Sequence, residues 1–406
     1  MKEDIIMENQ SLKNKLYERI DELTPRMIEM RRYLHQHPEL SFHEKMTGKY
    51  IADYYKDMDV KVETNYGDGY GVVVTIDSGK PGKTVALRAD FDGLPVQEDT
   101  GLPFKSENDG VMHACGHDGH TAYMLTLARA LYELRNEWSG VVKIIHQPAE
   151  EIPPGGAKGM VKAGVLEGVD YVLGAHGMAP LEFGTIGCTV GPVMTGRQSF
   201  KMDIHGKGGH GSEPQMANDA NVAASFFVVA AQTIVSRRVN PFHRCSLTIG
   251  DYEGKSSFNV IKETVHLEGE LRFMNNEDQP IMEKYFKKLV KGLEVMFDVK
   301  VDLDYITDYP VLNNDEELTH KVEKSLKNSG IKEIKKVDTA YQNSASEDFA
   351  YFSNEIPGVF IFYGEMPDDG VWYPQHSNKF LLNEKALPLA AKAVGAAALD
   401  LLSENE

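Results

Sequence analysis

Three short segments end in residues that bind metals or move protons. The run TVALRAD (84–90) ends at Asp90, VVKIIHQPAEE (141–151) ends at Glu150 and Glu151, and VDYVLGAH (169–176) ends at His176. A fourth, MHACGHDGH (112–120), holds three histidines, one cysteine and one aspartate in nine residues. Cys115 and His117 are two apart, which in an extended segment points both side chains to one side, as two ligands of one centre require. Thiolate and imidazole together suit zinc and its neighbours. The same pair also fits a nucleophilic cysteine activated by a histidine, or an ordinary loop with no chemistry. Glu150 and Glu151 divide naturally, one binding a metal while the other stays free as a general base, and a structural zinc site would need no such spare acid. Two solvated acids at a strand end are the bland alternative. Against it stand the apolar run VVKIIHQ and the turn at Pro148, which argue for a fixed position.

Before about Gly191, short apolar runs alternate with amphipathic helical stretches: 84–90, then a helix beginning near Thr121 and running to 134, then 141–147, then 169–176. Strands alternating with helices predict an α/β fold, a mostly parallel sheet covered on both faces. Residues at the carboxyl ends of such strands converge. From about 198 the order becomes strand, helix (218–237), strand, strand, helix (277–296), strand, the β-α-β-β-α-β order of a ferredoxin-like unit. In TVHLEGELRFM, Val265, Leu267, Leu271 and Phe273 fall on one face and His266, Glu268, Glu270 and Arg272 on the other, the period of a half-buried sheet. After about 310 the first pattern returns, with GVFIFYG (358–364) and a final Ala- and Leu-rich helix from about 384. We therefore expect residues 1–192 and 309–406 to form one α/β domain interrupted by an insert over 193–308.

A chain of 406 residues, 42% hydrophobic and 26% charged, has the composition of an ordinary globular protein of two domains. A net charge of −18 with no segregated run of Lys and Arg argues against nucleic acid as a partner. We expect no membrane span, no secretory signal in MKEDIIMENQ, and a cytoplasmic location. Three cysteines are too few for a disulfide scaffold, so reduced thiols are the default; Cys188 and Cys245 read as small buried residues.

Taken in order, LRADFDGLP, MHACGHDGHT, HQPAEE, GAHG, GKGGHGSEP, SSFNVI, ASEDFAYF and YPQHS resemble the aminoacylase and carboxypeptidase G type of dinuclear metallopeptidase. The likeness runs from about Met30 to about Leu389, and the nearest branch is that of amidohydrolases such as hippurate and indoleacetyl-amino-acid hydrolases. It implies a zinc-exopeptidase-like catalytic domain with an inserted lid and dimerisation domain. It also implies two divalent ions, zinc or manganese, with cobalt and nickel also acceptable to the donor set. By the resemblance, Cys115 is the shared ligand, His117, Glu151, His176 and His376 complete the set, Glu150 is the base, and Asp90 orients a ligand from the second layer. His210, on its glycine-rich loop, is implied to stabilise the substrate oxyanion from its own or a partner subunit; Asn259 and Arg272 are implied to hold the substrate. Arg272 has an equally simple alternative, pairing with Glu268 or Glu270 on its own strand face. Lys262, where relatives often have Pro, and Ala345, where many have Gly, depart from the pattern and bear on substrate choice. Glu347 reads either as a neighbour of the metals or as a cap of the helix that follows.

The activity so implied is hydrolysis of the amide bond of an N-acyl amino acid by a metal-activated water. The other readings are a metal-dependent dipeptidase or exopeptidase, a metal-free cysteine hydrolase, and a non-catalytic metal-stabilised binding protein. A homodimer through an edge strand of the insert completes the expectation.

Overall fold

The computed structural model describes residues 2–404, and the chain divides into two compact units. The first takes in the described residues up to Val193, Asn313–Gln342, and the described residues from Asp348 onward; the second comprises Met194–Leu312 and Asn343–Glu347.

The first unit is built on an eight-stranded sheet. Its order is Lys61–Tyr66, Gly71–Asp77, Val141–Gln147, Thr84–Asp90, Tyr171–Glu182, Gly358–Met366, Thr185–Gly187, Lys336–Asp338. The four central strands pair in parallel, while the flanking pairs are mostly antiparallel. Their apolar runs are continuous because both faces are covered: Val85, Ala86, Leu87, Val142, Ile144 and Val172 are fully buried. Three helices, Lys2–Gln36, His117–Glu133 and Ala386–Leu402, pack together. All three meet at Gly395, where an added Cβ would lie 2.7 Å from Leu16 and 2.8 Å from Leu127, so a larger residue would crowd both side chains.

The second unit has a four-stranded antiparallel sheet in the order Cys245–Glu253, Thr264–Phe273, Gly196–His205, Lys300–Thr307. Helices Ala220–Arg238 and Asp278–Phe297 supply the core side with Phe227 and Phe286; the Phe286 ring meets both Phe227 and Phe200 of the sheet. Val265, Leu267, Leu271 and Phe273 are fully buried, as their period predicts, and the face with Glu268, Glu270 and Arg272 is partly open. The expectation that no segment could span a membrane needs correction. Ala220–Arg238 is long and apolar enough by length and composition, but it buries Ala223, Ala224, Phe227, Ala231 and Ile234 along one face within the unit's core.

Candidate metal centre

Asp90 is the last residue of its strand, as expected, and Glu150 and Glu151 lie just past the end of Val141–Gln147. Two local expectations fail. His176 does not end its strand, because Tyr171–Glu182 continues six residues beyond it alongside Gly358–Met366. The 112–120 segment is not an extended loop ahead of a helix at Thr121. The helix starts at His117, and Gly116 before it sits at φ 94°, so Cys115 and His117 converge through a left-handed turn rather than strand alternation.

Unusual backbone recurs at the other ligand-bearing loops. Ala149, immediately before the glutamate pair, has φ 55°, and its N–H donates to Glu44 Oε1 at 2.7 Å. His376 has φ 67°, and its N–H donates to Ala114 O at 2.8 Å, tying the late loop to the Cys115 segment. Left-handed conformations of non-glycine residues persist only where surrounding contacts fix them, and they concentrate at functional sites.

These segments bring Cys115, His117, Glu151, His176 and His376 together. Candidate ligand atoms of Cys115, His117 and His176 lie within 4.8 Å of one another, as do those of Cys115, Glu151 and His376, so two triplets share the cysteine. Glu150 forms a further group with His117 and Glu151. His117 and His176, the two buried histidines of the set, each have their second nitrogen anchored. His117 Nδ1 donates to the Asp92 carbonyl and carboxylate, both at 3.1 Å, and His176 Nδ1 donates to Gly177 O at 2.6 Å. This leaves Nε2 of each as the free ligand atom; that of His176 is 3.4 Å from Cys115 Sγ. His376 Nε2 is 3.4 Å from Glu151 Oε1.

The electrostatics ask for cations. His117 Nε2 and Glu151 Oε1 are buried, 3.8 Å apart, and without a hydrogen-bond partner among the described residues. Burial, followed by the charges of Glu151, Glu150 and Asp90, drives the Cys115 thiol well above its usual range. Burial opposes protonation of His117, yet Asp90, Asp92 and Glu151 outweigh it and push the imidazole up to about 10. Carboxylates that force protons onto a thiol and an imidazole form a hole of negative potential, and a bound divalent ion reverses both effects. The donor set of one thiolate, three imidazoles and a carboxylate fits such ions.

Two carboxylates back the cluster, and Asp90 Oδ2 lies 3.8 Å from His117 Nε2. The carboxylate that orients a candidate ligand is Asp92, which also accepts from Ser41 Oγ at 2.6 Å and Glu151 N at 3.0 Å. Asp90 instead accepts from His120 Nδ1 at 2.6 Å and from Arg88 Nη1 at 2.7 Å, and the His120 ring packs edge-on against that of His176. Arg88 is wholly buried and spans Asp90, Gln147 and Asp348. Asp92 and His120 both lie in the quoted motifs LRADFDGLP and MHACGHDGHT, but nothing in spacing alone distinguishes a supporting acid from its neighbour two residues away.

His210, Asn259, Arg272, Glu347 and Cys245 belong to the second unit, Cys188 to the first. His210 pairs with Val260 in a short antiparallel ladder, and Gly211 N–H donates to Asn259 O at 2.8 Å, so His210 and Asn259 are neighbours. His210 Nδ1 accepts from Ser212 Oγ at 2.7 Å and Ser212 N at 3.2 Å, which leaves Nε2 carrying the proton. Arg272 is engaged: Glu270 takes Nε at 2.7 Å and Nη2 at 3.0 Å, while Nη1 reaches Ser344 O, Ser346 Oγ and Thr195 Oγ1. Glu347 does not cap the next helix, Ala350–Ser353, which has Phe349 at its N-cap and no side-chain cap. Cys188 is buried, but Cys245 is only partly so and directs its thiol to Asp278.

Such a sheet, carrying this cluster beyond its strands, defines a hydrolase of amide bonds with a metal-binding centre. Residues 86–400 match the family described as Peptidase family M20/M25/M40, and the chain belongs to it. The chain is 36% identical to the N-acetyl-L-cysteine deacetylase of Bacillus subtilis, over 95% of this chain and 90% of that one. Among solved structures, one from methicillin-resistant Staphylococcus aureus is 53% identical with a TM-score of 0.90, covering 96% of this chain and 100% of that one. The Bacillus subtilis protein YXEP, described as a dinuclear metal binding peptidase, is 31% identical with a TM-score of 0.80 over 94% and 99% of the two chains.

Proposed function

We propose that this protein hydrolyses the amide bond of N-acyl amino acids, releasing a carboxylic acid and a free amino acid, with Glu150 as the general base. The observation that carries the reading is the division of labour in the cluster. Two ligand triplets share Cys115 without using Glu150, which lies buried beside them. The proposed ligands are Cys115 in the shared position with His117, Glu151, His176 and His376, and zinc or manganese suits them, as do cobalt and nickel. Two such ions supply Lewis acidity and ease the ionisation of water near neutral pH.

The chain's own residues do the rest. Glu150 accepts the proton of the attacking water as its oxygen bonds to the amide carbon, then delivers it to the amine nitrogen as the C–N bond breaks. His210, with its proton on Nε2, is assigned as the donor to the oxyanion, and Asn259 as a donor to the substrate's polar groups. Arg272 is assigned to holding its strand face through Glu270, because its guanidinium is already engaged there; Asp90 is assigned to orienting His120 behind His176. The free edges of the four-stranded sheet, Cys245–Glu253 and Lys300–Thr307, support a homodimer through the second unit. Three unpaired thiols support a reducing, cytoplasmic setting.

The test is amino-acid release from N-acetyl, N-benzoyl and N-indoleacetyl amino acids and from dipeptides, by wild type and Glu150→Gln, after chelation and after adding back zinc or manganese. Metal-restored release from acylated substrates that vanishes in the variant is expected. Release from dipeptides alone would make the protein an exopeptidase, and activity indifferent to chelator and to Glu150 would sink the two-metal reading.

A further inference from the structure

We propose that the groove between the Ala220–Arg238 and Asp278–Phe297 helices binds a free amphipathic monocarboxylate. Its acid group would sit at Arg238 and Lys288 and its apolar tail would run toward Phe226 and Met296. The two helices are antiparallel where they meet: the Phe226 and Phe297 rings lie 5.5 Å apart at one end, and the Arg238 guanidinium lies 4.6 Å from the Tyr285 ring at the other. The groove between them has a volume of about 220 Å³. That is smaller than the ~300–1,000 Å³ of drug-sized sites and suits a compact ligand. From Phe226 to Arg238 the helix advances roughly 18 Å, room for an extended tail.

Three features give the groove a direction and a preferred charge. Phe226 and Met296 are more than half exposed at the apolar end, where a ligand's tail would cover them. At the other end stand two cations, and no carboxylate lines the groove, although the chain has 61 acidic residues against 43 basic ones. Arg238 and Lys288 make no ion pair with any described residue, whereas a carboxylate ligand would meet both. The third feature is Gly292, in the interior of its helix, where glycine costs stability relative to alanine. A Cβ at Gly292 would meet no atom within 4 Å, so packing does not require glycine there; its missing side chain keeps the groove open.

The experiment is isothermal titration of octanoate, octanol and octylamine into the full-length chain and into Gly292→Trp, Gly292→Ala and the double variant Arg238→Gln/Lys288→Gln. Octanoate is expected to bind wild type and Gly292→Ala alike, and to lose about tenfold or more in affinity in both the Trp and the double variant, with octanol and octylamine binding at least about tenfold more weakly than octanoate. Should Gly292→Trp fail to fold, the double variant, which alters only exposed side chains, carries the test. Equal octanoate binding in the double variant, or equal binding of octanol, would overturn the proposal. So would a change in sedimentation of Gly292→Trp without octanoate, which would make the groove a contact between copies of the chain.

Discussion

The buried cluster of the first unit and the polar loop of the second differ in how their side chains are prepared. In the first, His117 and His176 each have Nδ1 fixed by a carbonyl or carboxylate, and Nε2 is left facing the cluster. In the second, His210 is exposed and held only by Ser212, while Arg272 has its hydrogen bonds satisfied within its own unit. Preparation of this kind separates residues that bind something absent from residues that are already complete. A buried atom lacking a partner carries a desolvation cost of about 1–3 kcal/mol until its ligand arrives, and a satisfied guanidinium carries none.

Substitutions can break this comparison, beginning with the largest effect. Glu150→Gln should lower kcat for an N-acyl amino acid by roughly 10²–10⁴-fold, with metal content unchanged by elemental analysis. Loss of metal along with activity would mean that Glu150 is a ligand. His210→Ala should cost about 10²–10³ in kcat while leaving metal content and melting temperature alone. An unaltered kcat would leave the second unit with no part in the chemistry. Asp92→Asn removes the carboxylate that fixes His117 and should weaken metal binding by about 10–100-fold in competition with a chelator, whereas Asp90→Asn should act more weakly because its side-chain hydrogen bonds go to His120 and Arg88 and not to a proposed ligand.

Arg272→Gln should cost about 1 kcal/mol of stability, read as a lower melting temperature, with KM nearly unchanged. A tenfold rise in KM at constant stability would return Arg272 to the substrate. The last effect, confined to acid, concerns pH. His146, buried with Tyr55 hydrogen-bonded to it, is held by burial down to about 3 from its ordinary value of 6.5. Between those values the unfolded chain binds the extra proton. His146 therefore contributes stability that is fully present above pH ~6.5 and is lost as pH falls toward 3, by at most about 1.4 kcal/mol per pH unit. Urea melts of wild type and of Tyr55→Phe/His146→Leu over that range should differ in slope by that amount.

How much was legible in the sequence follows the same physics. The central strands were readable because burial on both faces writes continuous apolar runs such as TVALRAD and GVFIFYG. The second unit was readable because half-burial writes alternation, as in TVHLEGELRF. The long Lys2–Gln36 helix was not read, since its frequent charges and Pro25 obscure the apolar stripe. The sequence does not show the start of the His117–Glu133 helix, because Gly116, His117 and Asp118 look like loop residues, although Asp118 is buried against Arg31 and His35. The cluster's residue types announced metal chemistry, but which acid supports which histidine depends on strand register and could not be read before Asp92 and Asp90 were placed. For Arg272, strand alternation is compatible with substrate binding and with pairing along its own face, and only the folded chain shows the pairing, with Glu270 2.7 Å away.

The interruption of the first unit also shapes how the protein is made. The Tyr171–Glu182 strand pairs with Gly358–Met366 at the middle of the sheet, and His376 comes later still. At about 5–20 residues per second, a ribosome needs on the order of 10–35 s to travel from one strand to the other. Throughout that interval the emerged half-sheet presents an unpaired apolar edge in its nascent state, while the whole of the intervening unit is synthesised and free to fold. With His376 in the proposed ligand set, the complete metal centre can form only after residue 376 has been translated, long after the Cys115 segment.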